Sequence, residues 1–398
     1  MRVEIEKLDH QGQGIAYIDN IVTFIPKTIP KDIVEVEIVE KKKKYQKGRV
    51  TKYIKRGHDF KESFCPFYAL CGGCNLENYS YEKTIEYKKE KIKNLFLKKN
   101  IDISPIVIEN PMPKNYRNKI ELKVKNKEVG FYEKRTNKLV RINECFITNK
   151  AINKVIPFIN TWNINNGKIT IRCNKNEEIL IIIETKDTIK VDVEELKKEI
   201  KLVGIVYNNN SMYGQNFLYE RMNGLLFRYS YDAFFQVNPY VAEKLFSLIE
   251  ELVKEDKKIL DLYSGVGTLA LSASKIDTEV YGIEIIPNAV LNAINNAKLN
   301  NKDKTKFLLN DVEKAIDKIK MDFDVWIIDP PRSGIDKKTL ETMLKNKPKK
   351  IIYVSCDALT LIRDIEALNK IYEVEKVYIL DMFSYTYHTE CICVLKIR

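Results

Sequence analysis

The stretch Lys258-Ile259-Leu260-Asp261-Leu262-Tyr263-Ser264-Gly265-Val266-Gly267-Thr268 reads as an apolar strand, a glycine-rich turn and the start of a helix. Its two glycines let a ligand approach the backbone at the carboxyl end of the strand. Nineteen residues after Gly265, Glu284 ends a second apolar run, where a carboxylate can hold the two hydroxyls of a ribose. Asn310-Asp311 follows a third run, and Asp329-Pro330-Pro331-Arg332 ends a fourth. Strands at 258–262, 279–283, 325–328 and 351–354 alternate with helical segments. That alternation predicts βαβ units and a mostly parallel sheet.

A lone Gly-x-Gly is equally a dinucleotide motif. Asn310-Asp311 is placed to meet an adenine amino group, and Asp329-Pro330-Pro331-Arg332 follows at the next strand end. Acidic residues at successive strand ends in this order carry the pattern of S-adenosylmethionine methyltransferases.

Working outward, the 398 residues carry a formal net charge of +12. Residues 1–158 hold 33 Lys and Arg against 20 Asp and Glu, whereas residues 159–398 hold 34 against 35. A basic front attached to a neutral body suggests a polyanion-binding module feeding a catalytic domain. The composition excludes collagenous and wholly disordered chains. No apolar run reaches the roughly 18 residues of a membrane helix, and the start lacks a signal-peptide core. The expectation is a cytoplasmic protein with no membrane partner, acting as a monomer.

Residues 1–56 read as a small β unit. Val34, Val36 and Ile38 alternate with polar residues at period two, and further apolar runs lie at 21–25 and 49–54. About five short strands fit an OB-like barrel, a fold that often binds oligonucleotides. A lysine-rich helix is predicted at 81–99, able to pack on the catalytic domain. Pro105, Pro111 and Pro113 then break the chain before a strand at 119–124. The expected domains are 1–56, 57–230 (central) and 231–398 (cofactor-binding).

Cys65-x5-Cys71-x2-Cys74 packs three thiols around Gly72-Gly73, whose freedom lets the backbone fold so that the sulfurs converge. Cys145 is the best fourth ligand, since it ends a charged, strand-like stretch at 138–144; Cys173 is weaker. Four thiolates suit zinc or an iron–sulfur cluster. The spacing is not the x2/x2 of zinc ribbons and favours a 4Fe–4S cluster.

Cys356 closes the run at 351–354, at the rim where substrates bind. Uracil C5 is too poor a nucleophile to take a methyl group from a sulfonium. A thiolate added at C6 makes C5 enolate-like, and a base must then remove the C5 proton before the thiol can leave. Cys356 can supply the thiol, Glu390 the base, and Asp329 a partner for the pyrimidine edge. Adenine amino methylation, the rival for an Asp-Pro-Pro enzyme, leaves Cys356 and Glu390 without work. Cytosine C5 chemistry also uses a thiol, but the surrounding motifs fit uracil better.

Together these residues make the chain resemble the RNA uracil-5-methyltransferases, in particular the cluster-bearing branch acting on 23S ribosomal RNA. Gly12-Gln13-Gly14-Ile15-Ala16 through Phe24-Ile25-Pro26 is similar to the family's TRAM domain. Tyr116-Arg117-Asn118-Lys119 resembles a central-domain motif, and Phe234-Phe235-Gln236-Val237-Asn238 the lead into the catalytic domain. The resemblance implies Cys65, Cys71, Cys74 and Cys145 as 4Fe–4S ligands. It implies Gln236, Tyr263, Gly265, Thr268, Glu284, Asp311 and Asp329 as contacts of S-adenosylmethionine. It also implies Cys356 as nucleophile and Glu390 as base. Two positions depart from it: Asp357-Ala358 stands where the family has Asn-Pro, and Ser264 where it often has cysteine. Methylation of the tRNA T-loop uridine is the alternative reading, and a non-catalytic RNA-binding protein a more distant one.

Overall fold

The computed structural model describes residues 1–134, 136–316 and 322–398. Six strands occupy the first 55 residues, in the order Arg2–Glu4, Ile33–Lys41, Tyr45–Lys55, Ile21–Ile25, Gly14–Ile18, Lys7–Leu8. The period-two reading holds, because Val34 and Val36 join Ile5, Ala16, Ile18 and Ile25 in a small core while Glu37 faces solvent. The sheet curls toward closure. The amide of Ile5 donates to Asp32 and that of Glu6 to Ile15, tying one edge to the other.

A second sheet has seven strands, in the order Leu139–Arg141, Glu128–Tyr132, Lys119–Lys125, Asn166–Cys173, Glu178–Thr185, Lys201–Tyr207, Asn210–Gly214. Its core gathers the isoleucines of Asn166–Cys173 and Glu178–Thr185 with Trp162. The strand before Cys145 is shorter than its charged sequence suggested. It ends at Arg141, and Cys145 lies in the loop beyond.

The C-terminal sheet has eight strands, in the order Thr305–Leu309, Glu279–Glu284, Lys258–Leu262, Val325–Ile328, Lys350–Ser355, Glu390–Ile397, Tyr372–Leu380, Ile106–Ile108. Seven run in one direction; Glu390–Ile397 runs against its neighbours. Reversal brings the first residue of that strand, Glu390, to the rim where the parallel strands end. Ile106–Ile108 comes from the proline-broken stretch and pairs with Tyr378–Leu380. Nothing in its sequence announced a strand.

Helix Tyr81–Leu97 falls where the lysine-rich pattern put it, with the Ser80 hydroxyl accepting from the amide of Lys83. It buries Ile92 and Phe96 in the core beneath the C-terminal sheet. On that face Lys88 is also buried, donating to Asp381 Oδ1 at 2.5 Å and to the Phe383 carbonyl at 3.0 Å. Tyr81 and Ser384 donate to Asp381 Oδ2. Burial pushes the Asp381 carboxyl up, but Lys88 and these donors outweigh it and hold it below its ordinary range.

A hairpin, Phe217–Met222 with Leu225–Ser230, leads into the C-terminal domain. Helix Pro287–Leu299 and its C-cap grip its outer strand through asparagines four residues apart. Asn296 accepts from the Arg228 amide and donates to the carbonyls of Arg228 and Val266. Asn300 repeats the exchange with Leu226, and Asn292 holds the Arg228 guanidinium and Ser230. Two residues of strand rise about 6.7 Å and four of helix about 6 Å, so the two ladders stay in step. No helix among the described residues is long and apolar enough to cross a membrane.

Candidate active site

Where Lys258–Leu262 ends, the chain turns sharply, with Tyr263, Gly265 and Gly267 at φ of +65°, +55° and +84°. A Cβ on Gly265 would meet nothing within 4 Å, so open space lies beside that turn. A Cβ on Gly267 would sit 2.7 Å from the Phe307 ring. The first glycine leaves room for a ligand and the second lets helix Thr268–Ala273 pack. Glu284 braces the turn: Oε2 accepts the Gly265 amide at 2.9 Å, and Oε1 accepts those of Ile285 and Ile286 at 2.8 Å.

Gln236, Tyr263, Gly265, Thr268 and Asp329 line one pocket at this rim, with buried Asp261. Asp261 Oδ1 and Ser264 Oγ are buried with no hydrogen-bond partner among the described residues. Such groups are costly unless a ligand or water satisfies them. With the space beside Gly265, they suit a polar nucleoside cofactor. Burial raises the Asp261 carboxyl far above its usual range, with Asp329 and Glu284 adding to the effect. Asp311 stands at the end of Thr305–Leu309 outside that wall. Its Oδ1 accepts the Glu313 amide at 3.0 Å and caps the next short helix.

Gln236 is held from the central sheet. Asn118 donates through Nδ2 to the Gln236 carbonyl at 3.1 Å and through its amide to Val237 at 2.9 Å. Arg172 donates to the Ala233 carbonyl at 2.6 Å, and the Phe235 ring stacks on Tyr229 at 4.2 Å. The motif 116–119 thus acts by fixing the segment before the catalytic domain.

Ser355 pairs with Cys391 across antiparallel strands, and just beyond that pair Cys356 and Glu390 lie close enough at the rim for the carboxylate to act on the thiol. Burial, with Glu390 and Asp329 close by, pushes the Cys356 thiol up to about 11, although the hydrogen-bonding Arg332 guanidinium pulls the other way. Glu390 is 4% exposed. Burial and then Asp329 raise its carboxyl well above the ordinary range, against the pull of Arg332. Asp329, whose carboxyl lines the pocket, is lifted to about 7 by desolvation. A thiol, two carboxylic groups reluctant to ionise together and a guanidinium therefore converge beside the pocket. Burial and the neighbouring cations Arg332 and Lys91 hold His388 down to about 4, so its ring is neutral at pH 7. Asp357 does not disturb the cysteine: its Oδ1 caps helix Ala358–Leu368, accepting the amides of Leu359 and Thr360 at 3.0 and 3.1 Å. Arg332 was quoted in the motif but given no role. A guanidinium directly after a rim prolyl pair was the available signal.

Cys65, Cys71, Cys74 and Cys145 all line one cavity of about 310 Å³, walled by Phe64, Phe67, Ile120, Phe131 and Ile147. Cys173 is buried elsewhere, in the central core. Among the described residues no three His, Cys, Asp or Glu side chains converge on a single-ion position, so the thiols surround the cavity rather than meet at its centre. Burial raises the Cys65 thiol to about 11 and lifts that of Cys74 well above its ordinary range. A cationic inorganic centre would reverse that preference. The donor set and the space fit a compact polynuclear cluster. Lys27 of the first sheet donates to the carbonyls of Cys71 and Cys74 and sits 3.8 Å over the Tyr68 ring.

A sheet in this order with a glycine-turn pocket at its rim defines an α/β methyltransferase domain, here behind a β domain of nucleic-acid-binding type. The profile of the tRNA (uracil-5-)-methyltransferase family matches residues 80–398, and that of the TRAM domain residues 1–51. An uncharacterized RNA methyltransferase of Oceanobacillus iheyensis is 32% identical, covering 99% of this chain and 95% of the relative. One of Clostridium tetani is 31% identical, covering 97% and 94%. The solved Pyrococcus abyssi tRNA (uracil-54, C5)-methyltransferase, in complex with S-adenosyl-L-homocysteine, is similar at a TM-score of 0.82 with 26% identity. That likeness covers 99% of this chain and all of the other. The chain belongs to the tRNA (uracil-5-)-methyltransferase family, S-adenosylmethionine-dependent enzymes that methylate uracil C5 in RNA.

Proposed function

We propose that this protein methylates C5 of a uridine in 23S ribosomal RNA by covalent catalysis at Cys356. The closeness of Cys356 to Glu390 and Asp329 beside the cofactor pocket carries this reading. The Cys356 thiolate adds to C6, and the C5=C6 electrons move into an enolate at C5. Bound S-adenosylmethionine supplies an electrophilic methyl group at its sulfonium. Asp261, Ser264, Glu284 and Gln236 bind and orient that molecule, and Asp329 faces the pyrimidine edge. Once C5 carries the methyl group, Glu390 takes the C5 proton. The C–H electrons re-form C5=C6 and the Cys356 thiolate leaves. Arg332 favours the thiolate at the moment of attack.

The target base must leave its stack to reach Cys356, at a cost of a few kcal/mol. Phosphate contacts from the basic residues of 1–158 offset that cost. Cys65, Cys71, Cys74 and Cys145 would hold a 4Fe–4S cluster of structural role, in a cytoplasm that keeps the other thiols reduced. The tRNA T-loop uridine is the second reading, favoured by the full-length likeness to the Pyrococcus enzyme.

Transcripts of 23S fragments and of tRNA, incubated with labelled cofactor and mapped for 5-methyluridine, decide between the two. Label in neither RNA sinks both. RNA containing 5-fluorouridine should form an adduct stable to denaturing electrophoresis, because fluorine at C5 cannot leave as a proton. Cys356→Ala should abolish that adduct; its persistence would remove Cys356 from the mechanism.

A further inference from the structure

The loop 381–389, which delivers Glu390 to the rim, packs behind residues that wall the cysteine cavity. Tyr385 is the joint. It is a non-glycine residue at φ +60°, a conformation an aromatic side chain adopts only when its surroundings impose it. Its carbonyl accepts two backbone amides, from Asn75 and Leu76, both at 3.0 Å and both immediately beyond Cys74. Its ring lies edge-on to Phe64 at 5.2 Å and tilted against Tyr81 at 5.8 Å. It packs in one apolar cluster with Tyr116, Ile147, Cys74 and Cys145. Phe64, Ile147 and both cysteines line the cavity.

Toward Glu390 the loop is stiff. Ser384 is fixed on Asp381 at 2.6 Å, the Thr386 hydroxyl donates to Phe383 at 2.8 Å, and the His388 amide donates to that hydroxyl at 3.2 Å. Lys91 holds the Tyr387 carbonyl at 2.5 Å. A shift of the cavity wall that Tyr385 packs against therefore reaches Glu390 through four intervening residues with little slack.

We propose that Tyr385 is a positioning residue through which the wall of the cysteine cavity sets the location of the Glu390 carboxylate. Removal of the C5 proton, rather than methyl transfer, is the step the cavity supports. This rests on the reading of Glu390 as the base. Cys356, Tyr263, Gly265, Thr268 and Asp329 are not among the residues lining the cavity, and Gln236 is tied toward it through Asn118 rather than through Tyr385, so addition and methylation proceed with the loop displaced. The elimination does not, and the methylated base stays bonded to Cys356.

The test is a single-turnover reaction on ordinary uridine RNA, scoring methyl label in free RNA and in protein-linked RNA on denaturing gels. Tyr385→Gly keeps the left-handed backbone and deletes the ring; Tyr385→Phe keeps the ring. Tyr385→Gly should accumulate at least tenfold more methylated adduct than the parent, while its affinity for S-adenosylhomocysteine, by calorimetry, stays within twofold. Tyr385→Phe should release product at the parental rate. Phe64→Ala, which weakens the wall from the cavity side, should also accumulate adduct and serves if Tyr385→Gly fails to fold. Glu390→Gln is the reference. If it gives no adduct, the base assignment fails. If it accumulates adduct while Tyr385→Gly and Phe64→Ala release product normally, or lose methylation and release together, the positioning role alone is overturned.

Discussion

Asp329 and Glu390 show how desolvated carboxyls can report on the pocket beside them. Desolvation lifts Asp329 to about 7, whereas an unfolded aspartate titrates near 3.9. Between those values the folded protein binds more protons than the unfolded chain, so stability falls as pH rises. The loss is complete above the folded value and absent below the unfolded one. Urea unfolding of the cofactor-free protein should therefore show greater stability at pH 5 than at pH 8, and Asp329→Asn should flatten that slope. Saturating S-adenosylhomocysteine should leave part of the slope in place, since a neutral thioether lacks the sulfonium charge that would favour both carboxylates. A slope unchanged by Asp329→Asn would place the proton uptake on other groups.

Among the elements, the asparagine rungs of helix Pro287–Leu299 substitute for a neighbouring strand along the hairpin edge. Asn296→Ala leaves the Arg228 amide, its carbonyl and the Val266 carbonyl without partners, an expected loss of about 2–4 kcal/mol. Asn288→Ala, which removes an exposed side-chain hydrogen bond to Asp232, should change stability by less than about 0.5 kcal/mol. Denaturant titration of both variants checks the pair. The helix also shows where sequence reading stops. Asparagines at this spacing look like an ordinary polar face, and their partners are backbone groups about 70 residues away. The strands 258–262, 279–284 and 325–328 were legible because each is a β-rich run stopped by glycine, proline or a carboxylate. Cys356 and Glu390 were legible at the rim from the ends of two other apolar runs, 351–354 and 391–397. Arg332 and Tyr385 were not legible in role, since both act through contacts between segments that no local pattern encodes.

At the scale of the whole molecule, the boundary between central and C-terminal parts is interlaced rather than linear. Helix Tyr81–Leu97 and strand Ile106–Ile108 belong by packing to the C-terminal sheet. A fragment of residues 231–398 would expose the edge of Tyr372–Leu380 and the apolar bed of Ile92 and Phe96. Light scattering should show it aggregating where a fragment of residues 80–398 stays dispersed. Within the full chain, Lys88→Met strands the Asp381 charge inside the protein, at an expected cost of about 3–5 kcal/mol in the same unfolding assay.

Ile106–Ile108 has one more consequence, for a chain emerging from the ribosome. Its partner Tyr378–Leu380 is made 272 positions later (378 minus 106), roughly 15–55 s at ordinary elongation rates of 5–20 residues per second. For that interval a short apolar strand waits unpaired in the open. Pro105 and Pro111, on either side of it, carry no N–H to donate and so keep an intermolecular ladder from extending beyond this short strand. The residues that hide the strand from a sequence reader also keep it from premature partners.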